Sequence, residues 1–399
     1  MFFIYIWGGS VVRKKEIRGM RRYGLFFVSL CLAIFGGCNS ETSSVSSDDY
    51  PTSSDSIEIS SAAEESSSSV YVHVPGFDPC RFNFGAGWQA LHEDSAFYAG
   101  LDYISVWLGD NDFFNSFESR MFDVATQVQA TPMIYAYVIA EFGKDRGLVD
   151  CDILDENKQY VTPNLCTDGA NIIRTYFQDS ILYRYQQYAK GFREYIESTY
   201  PMGTGIASIH AIDPDTAQFI WLIEPDFYQY SASGSEQKFK YDSIAQNGGG
   251  IPEEVMAAMF NMIVDTIKAY LPASKIAIDI SPWVEDQQAW YANFDLSRVD
   301  YASTSGGRTA ATLEKIRAGN KTTWAEIAEL LGKPILADAG YDAGGMGTGY
   351  SAIWGVAENL NARIANGVIG VTQMDADELY AARVDSVRPQ LNPTIWCNE

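Results

Sequence analysis

Acidic side chains that follow apolar segments are the residues of this chain best suited to chemistry. Four apolar segments end in carboxylates, and the acids concerned are Glu224, Asp226, Asp279, Asp338 and Asp375. Burying a carboxylate beside an apolar strand costs free energy, so its repetition calls for a reason. Either these groups accept hydrogen bonds from loop amides, or they converge on a ligand. Their recurrence favours the second interpretation.

The histidines of this sequence are too few and too widely spaced to form a catalytic or metal site. The three histidines, His73, His92 and His210, are far apart and have neither HxH nor HxxxH spacing. A zinc site or a histidine-based triad is therefore not expected. The chain has 51 acidic and 28 basic residues and a formal net charge of -23, which disfavours binding to nucleic acid. Catalysis would rest on carboxylic acids, and we predict no cofactor.

Aromatic residues accompany the acids along the chain. The candidate substrate-binding side chains are Trp88, Trp107, Tyr137, Trp283, Tyr341 and the amide Gln373. Aromatic faces with acids and amides between them suit sugar rings, which stack through their CH-rich faces and hydrogen-bond through their hydroxyls. The other interpretation is that several Trp residues fill the core, and we expect this of Trp221, Trp324 and Trp354.

Eight short apolar runs position these residues. The runs cover residues 81–88, 101–109, 132–140, 219–226, 275–281, 299–305, 334–340 and 368–375. Between them lie amphipathic stretches typical of helices, at residues 117–129, 172–198, 252–270, 310–331 and 351–366. Eight strands that alternate with helices predict an α/β fold, a single (β/α)8 TIM barrel over residues 78–399.

A doubly wound sheet is the alternative fold. It rarely needs eight strands, and Gly85-Ala86-Gly87 lacks the third glycine of a phosphate-binding turn. In a barrel, the acids fall at the C-terminal ends of strands four, five, seven and eight, the face that carries active sites. Residues 141–218, between strands three and four, predict an inserted loop at this face followed by the barrel helix.

Residues 1–38 predict an export leader. An apolar run at residues 25–35 follows two arginines and ends at two glycines and Cys38. A basic segment, a short apolar segment and small residues are typical of a secretory signal. The final cysteine resembles the lipobox of bacterial lipoproteins, which implies lipidation of Cys38; ordinary signal-peptidase cleavage is the alternative. Met20 is a better start for such a signal than Met1.

Residues 39–77 predict a flexible tether. Serine and acidic residues dominate this segment, and it has too few large apolar side chains to fold. Leader and tether together predict an exported monomer, held at the outer membrane or cell surface by a lipid anchor, or secreted.

Four cysteines remain after the leader. An even number in an oxidising compartment implies disulfides. We favour Cys151 with Cys166, which closes a short loop, and Cys80 with Cys397, which ties the first strand to the last residues. The alternatives are the other two connectivities or four free thiols.

The ends of strands four and seven resemble those of clan A glycoside hydrolases such as family 5. Ile223-Glu224-Pro225 is similar to their Asn-Glu-Pro, and residues 332–340 are similar to their strand-seven run, with Asp338 in the place of a Glu. The resemblance implies cleavage of glycosidic bonds by Glu224 as acid/base and Asp338 as nucleophile. Asp338 is one methylene shorter than Glu, which leaves room for a water between the carboxyls and favours inversion.

A second resemblance is to the inverting family 6 cellulases. Residues 222–226, Leu-Ile-Glu-Pro-Asp, are similar to the Glu-Pro-Asp segment of that family, and residues 277–279 to its next strand. The acid Asp of that family lies in an Asp-Arg-Asp-Cys turn, which this chain does not reproduce. Asp226, Asp279 and Asp375 are second-rank catalytic candidates, which would take over one role if the clan A mapping is wrong.

The sequence thus predicts an exported barrel glycoside hydrolase that acts on a plant or microbial β-glycan. Replacing Glu224 by Gln is expected to abolish turnover and keep the fold. The alternatives are a glycan-binding barrel without activity and an aldolase-like or phosphosugar barrel. Strands seven and eight lack the internal Lys or Arg that the last class needs. Calcium on the acidic loop 150–155 is a further alternative, although its spacing is not that of an EF-hand.

Overall fold

The structure is a computed structural model. It describes residues 76–89, 94–109, 113–151, 153–200, 211–231, 250–282, 284, 286–305, 309–317, 322–340 and 351–397. The predicted leader with Cys38, and the predicted tether up to residue 75, lie outside these residues. So do the three histidines and two candidate substrate-binding residues, Trp283 and Tyr341.

Eight parallel strands close into a barrel in which each strand pairs with its neighbours in the sequence and β8 pairs with β1. The strands are β1 (Asn83–Gly87), β2 (Tyr103–Leu108), β3 (Thr131–Ala136), β4 (Ile220–Ile223), β5 (Lys275–Asp279), β6 (Tyr301–Ser303), β7 (Ile335–Asp338) and β8 (Val368–Gln373). This order confirms the predicted barrel and rules out the doubly wound sheet.

Helices alternate with the strands. The described helices are α1 (Ser95–Tyr98), α2 (Ser116–Val128), α3 (Val138–Lys144), α4 (Leu165–Tyr176), α5 (Leu182–Thr199), α6 (Phe227–Tyr230), α7 (Glu253–Lys268), α8 (Gln287–Tyr291), α9 (Trp324–Leu331), α10 (Ala357–Ile364) and α11 (Tyr380–Val387). A five-residue π-helical turn, Phe177–Ile181, joins α4 to α5. None of the helices in the described ranges has the length and apolar character needed to cross a bilayer.

Two sequence predictions of local structure are wrong. The predicted helix at residues 310–331 is confined to α9, because the capping box at Thr323 starts the helix there; residues 309–317 are a loop. The third apolar run, residues 132–140, also leaves the strand conformation early: β3 ends at Ala136 and α3 begins at Val138. Apolar runs alone do not distinguish a strand from the buried start of a helix.

The core has two layers. Inside the barrel lie mostly large residues, Tyr103, Met133, Tyr135, Ile220, Leu222, Ala277, Tyr301, Leu336, Ile369 and Met374. The second layer lies between strands and helices and contains Trp221, Trp324 and Trp354, all fully buried as predicted. Gly85 has a packing role, because a Cβ atom there would overlap the Tyr103 ring. Packing against Tyr103 therefore explains the glycine at position 85, and no phosphate-binding role is needed to explain it.

Both chain ends of the described domain lie at the N-terminal side of the barrel. Phe77 packs edge-to-face on Tyr103 and Tyr301, with ring centroids 5.8 and 5.3 Å apart. The Cys80–Cys397 disulfide joins the two ends, and the backbone N–H of Thr394 donates to the carbonyl of Cys80 at 3.2 Å. These contacts close the barrel opposite its C-terminal face.

Candidate active site

Two of the predicted acids lie on inward-facing positions at the C-terminal mouth of the barrel. Ala277 of β5 and Leu336 of β7 belong to the interior layer. Because side chains alternate along a strand, the residues two positions later face the same way. These residues are Asp279 and Asp338, at the last positions of β5 and β7.

Asp279 is 6% exposed and is held by three neighbours. The Ser305 hydroxyl donates to its Oδ1 at 2.8 Å, and the backbone N–H of Asp226 points to its Oδ2 at 3.4 Å. The Tyr291 hydroxyl donates to its backbone carbonyl at 2.8 Å. Burial raises the pKa of Asp279 to about 7, and the negative charge of Asp226 adds to the rise. Near neutral pH, Asp279 therefore holds a proton part of the time.

Asp338 is fully buried at the base of the mouth. Its Oδ1 accepts a hydrogen bond from the backbone N–H of Gly340 at 2.7 Å, and its own N–H donates to Oγ1 of Thr304 at 2.7 Å. The Thr309 hydroxyl donates to its carbonyl oxygen. A hydrogen bond from an amide N–H favours the ionised carboxylate. The two threonines thus hold the backbone of Asp338, and the Gly340 N–H holds one oxygen of its side chain.

Asp226 lies beside Asp279 in the turn that follows β4. Both Glu224 and Asp226 have positive φ values, 46° and 68°, so the strand periodicity ends at Ile223. Such a conformation is unusual for residues other than glycine and is enriched at functional sites. Asp226 is partly exposed, and its Oδ1 accepts a hydrogen bond from Nε2 of Gln229 at 2.5 Å.

Arg317 is a candidate site residue that the sequence analysis missed. It lies in the loop after β6, where its Nη2 donates to the carbonyl of Ser305 at 2.8 Å. Its charge interacts with three acids, Asp279, Asp226 and Asp338. Burial lowers the pKa of the guanidinium, and the acids oppose this effect. The sequence pattern predicted a helix at this position, so it did not indicate that the arginine lies near the acids.

Glu224 occupies a different environment from the acids of the mouth. Its carboxyl is fully buried, and its Oε1 accepts hydrogen bonds from the Ile139 N–H at 2.8 Å and the Tyr185 hydroxyl at 2.5 Å. Ile139 is in the first turn of α3 and Tyr185 is on α5. Burial raises the pKa of Glu224 to about 8. These contacts favour a structural role, and catalysis by Glu224 stays a prediction.

The end of β8 contributes less than the sequence predicted. Gln373 is buried and is tied to the backbone of Ser351: its Oε1 accepts from the Ser351 N–H at 3.0 Å, and its Nε2 donates to the Ser351 carbonyl at 3.2 Å. These contacts use both ends of the Gln373 amide. Asp375 is partly exposed just beyond the strand, and its role stays a prediction.

Two of the predicted aromatic residues, Trp107 and the buried Tyr137, are in contact at the mouth. Trp107 is partly exposed, stacks on Tyr135 with centroids 4.9 Å apart and meets Tyr137 edge-on at 5.4 Å. The Tyr137 hydroxyl donates to Oδ1 of Asp150 at 3.3 Å. Burial, together with Asp150 and Asp226, raises the pKa of Tyr137 far above its ordinary value.

The Trp88 side chain is packed in the core and is not exposed at the mouth. It is 7% exposed and lies against Tyr98 and Phe117, with centroids 5.5 and 6.2 Å away. These contacts are those of a core residue, so substrate binding by Trp88 stays a prediction.

The inserted segment between β3 and β4 borders the site. The disulfide Cys151–Cys166 closes its loop, and the structure thus contains both pairings favoured from the sequence. Within the described ranges, no group of three or more His, Cys, Asp or Glu side chains could hold a metal ion. Asp152, part of the acidic loop considered for calcium, lies outside those ranges.

Comparisons with known proteins leave the function open. No family model matches the chain, and no curated protein matches it. A β-1,4-D-mannanase structure from Cryptopygus antarcticus is 11% identical, with 76% of this chain and 90% of that chain covered and a TM-score of 0.39. A ruminal family 26 endo-β-1,4-mannanase is 9% identical, with coverages of 78% and 62% and a TM-score of 0.40.

An oxidoreductase is similar to the same degree. A structure of morphinone reductase in complex with tetrahydroNAD is 12% identical, with 75% of this chain and 80% of that chain covered and a TM-score of 0.37. Likenesses of this size, shared by hydrolases and a reductase, carry no argument about activity.

Proposed function

We propose that this protein is a glycoside hydrolase that cleaves a polysaccharide at the mouth of the barrel. The observation that carries the proposal is that three acids from the ends of β4, β5 and β7, Asp226, Asp279 and Asp338, interact with one cation of the described residues, Arg317. Hydrolysis of a glycosidic bond needs one protonated and one ionised carboxyl group. The surroundings of these acids differ in the way that this division of roles requires.

Asp226 and Asp279 supply the proton in this proposal. The two side chains repel each other when both are ionised, and the raised pKa of Asp279, about 7, reflects this repulsion as well as burial. When two interacting carboxyl groups repel each other, a proton belongs to the pair rather than to either residue. Asp226 is the more exposed of the two, so in this proposal it delivers the proton of the pair to the glycosidic oxygen.

Asp338 acts as the base. In this proposal the Gly340 N–H and the charge of Arg317 support the ionised form of Asp338 against the cost of its full burial. Because Asp338 is fully buried, it reaches a small molecule such as water more readily than the anomeric carbon of a sugar. Activation of water by the second carboxyl gives inversion, in line with the expectation from its short side chain.

The partly exposed ring of Trp107 offers an apolar face at the mouth, with Tyr137 packed edge-on against it. Such a face suits a sugar ring better than a charged or branched substrate. The sequence resemblance favours a plant or microbial β-glycan as the substrate. Two disulfides are typical of exported proteins, which agrees with a polymer met outside the cell. Attachment through a lipid on Cys38 belongs to the same proposal.

The test is release of reducing ends from a panel of glucans, xylans and mannans, measured beside binding to the same polymers. The proposal expects release from at least one polymer by the wild type and none by the Asp338→Asn variant. Burial of Asp338 favours a second candidate, a glycan-binding barrel without activity. Binding by the wild type without release from any polymer would select that candidate.

A further inference from the structure

Gln229 connects the acid Asp226 to the inserted segment. It lies on the single turn of α6, three residues after Asp226, and is 8% exposed. Its Nε2 donates to Oδ1 of Asp226 at 2.5 Å. A donor fixed in this way restricts the rotation of the Asp226 side chain. It also favours the ionised form of the carboxyl.

The other end of the Gln229 amide meets the disulfide of the inserted segment. Its Oε1 lies 3.5 Å from Sγ of Cys166, which is bonded to Cys151. Cys166 is in the first turn of α4, a helix packed directly on α6. The close approach depends on Gly169, where a Cβ atom would lie 3.0 Å from the Tyr230 carbonyl oxygen. The disulfide is therefore in contact with the residue that holds Asp226.

We propose that Gln229 is a positioning residue, which sets the orientation and proton affinity of Asp226, and that the Cys151–Cys166 disulfide braces it from behind. The inference rests on the proposed function for its catalytic meaning. The effect of Gln229 on the titration of Asp226 does not depend on that function, because Asp226 titrates whether or not the protein is an enzyme. The inserted segment then acts on the site through its contact with the buried side-chain amide of Gln229.

The charged and titratable groups around Asp226 set the background for the test. They are Asp279 from β5, Arg317 from the loop after β6, Tyr137 after β3 and Tyr230 on α6. Most of these groups are acids or neutral phenols, so loss of a donor raises the proton affinity of Asp226.

The first experiment replaces Gln229 by Met, which keeps the length of the side chain and removes the donor. The titration of Asp226 is followed by ¹³C NMR of its carboxyl carbon, assigned with Asp226→Asn. Its apparent pKa is expected to rise by about 1 unit, because a hydrogen bond to the charged form is lost. With active enzyme, the alkaline limb of kcat/KM moves the same way, and kcat falls about tenfold.

A matched control is available on α5. Gln186 is partly buried, and its Nε2 donates to the Tyr270 hydroxyl at 2.6 Å, away from the acids. Gln186→Met loses a comparable hydrogen bond and should leave the Asp226 titration unchanged. Gln229→Asn, which keeps the amide but is too short to reach, serves if the Met variant does not fold. An Asp226 titration within about 0.2 unit of the wild type in both Gln229 variants would overturn the inference.

The second experiment tests the brace with two pairs of substitutions. Cys151→Ser with Cys166→Ser removes the disulfide behind Gln229, and Cys80→Ser with Cys397→Ser removes the one at the chain ends. The first pair is expected to shift the Asp226 titration upward by about half a unit, and the second to leave it in place. Equal effects from the two pairs, or no effect from the first, would refute the brace.

The two proposals fail separately. If the wild type hydrolyses no polymer, the proposed function is lost, while the NMR titration still decides the role of Gln229. If the wild type is active and Gln229→Met titrates as the wild type does, only the positioning role is lost.

Discussion

Two buried charge clusters lie at opposite ends of the barrel, and they are balanced differently. At the N-terminal end, Asp102 accepts hydrogen bonds from Nη1 of Arg388 at 3.0 and 2.9 Å and from the Phe84 N–H at 2.7 Å. Nη2 of Arg81 lies 2.9 Å from the same carboxylate. One acid meets two cations there, and its oxygens are fully engaged.

At the mouth, three acids surround one cation. Asp226, Asp279 and Asp338 all interact with Arg317. A surplus of buried negative charge costs stability and raises proton affinity, and such surpluses are typical of functional sites. The comparison teaches that burial alone does not mark a catalytic carboxyl in this protein. Among the described residues, the mouth differs from the other cluster in that three acids interact with one cation.

The largest effect is expected at Asp226. Asp226→Asn removes the proposed acid, so reducing-end release should fall by about 10²- to 10⁴-fold. Because the change also removes repulsion with Asp279, the free energy of unfolding in urea should stay the same or rise. Near wild-type activity in this variant would remove Asp226 from the mechanism.

At the N-terminal end of the barrel, a substitution in the charge cluster should lower stability and leave activity unchanged. Asp102→Asn leaves Arg388 and Arg81 without their common partner, which should lower the free energy of unfolding by about 3 kcal/mol. The pH profile of kcat/KM should not move, since the cluster is across the barrel from the mouth. Asp265→Asn is the control, because Asp265 pairs with Arg298 at an exposed position and should cost less than about 1 kcal/mol. A shifted pH profile in Asp102→Asn would contradict the separation of the two clusters.

Stability should depend on pH through the acids with raised pKa values. Folding raises the pKa of Asp279 from 3.8 to about 7, so the folded protein keeps a proton that the unfolded chain has lost. The contribution of Asp279 to stability is therefore complete below about pH 4 and is lost as the pH rises towards 7. Urea unfolding between pH 5 and 8 should show a smaller decline for Asp279→Asn than for the wild type. Parallel curves would contradict the raised pKa.

The smallest effect is expected at Glu224. Glu224→Gln keeps an oxygen that can accept from Ile139 and Tyr185, so turnover should fall by less than about threefold. The sequence resemblance predicts the reverse, complete loss of turnover. Assays of Glu224→Gln and Asp226→Asn side by side decide which acid of this turn is catalytic.

The barrel could be predicted because its signals are local and repeated. Each strand is an apolar run followed by polar residues, and eight such runs allow few other folds. The acids of β5 and β7 were found for the same reason, since Asp279 and Asp338 continue the alternation of their strands. The pairing of the cysteines also followed from their number and spacing.

The rest of the site depends on backbone turns and loops. The left-handed conformations of Glu224 and Asp226 break the strand periodicity, so the sequence did not show which acid faces the mouth. Arg317 and Gln229 reach Asp226 from a loop and a single helical turn, and neither has a periodic pattern that would reveal its direction. Tertiary contacts decide such positions.

The Cys80–Cys397 disulfide places both ends of the described domain on the closed side of the barrel. Phe77 seals that side against Tyr103 and Tyr301. A bead, an affinity tag or a fusion partner attached at either end would therefore leave the acidic mouth open. When it is immobilised through either terminus, the protein should accept polymers of the same length as it accepts in free solution.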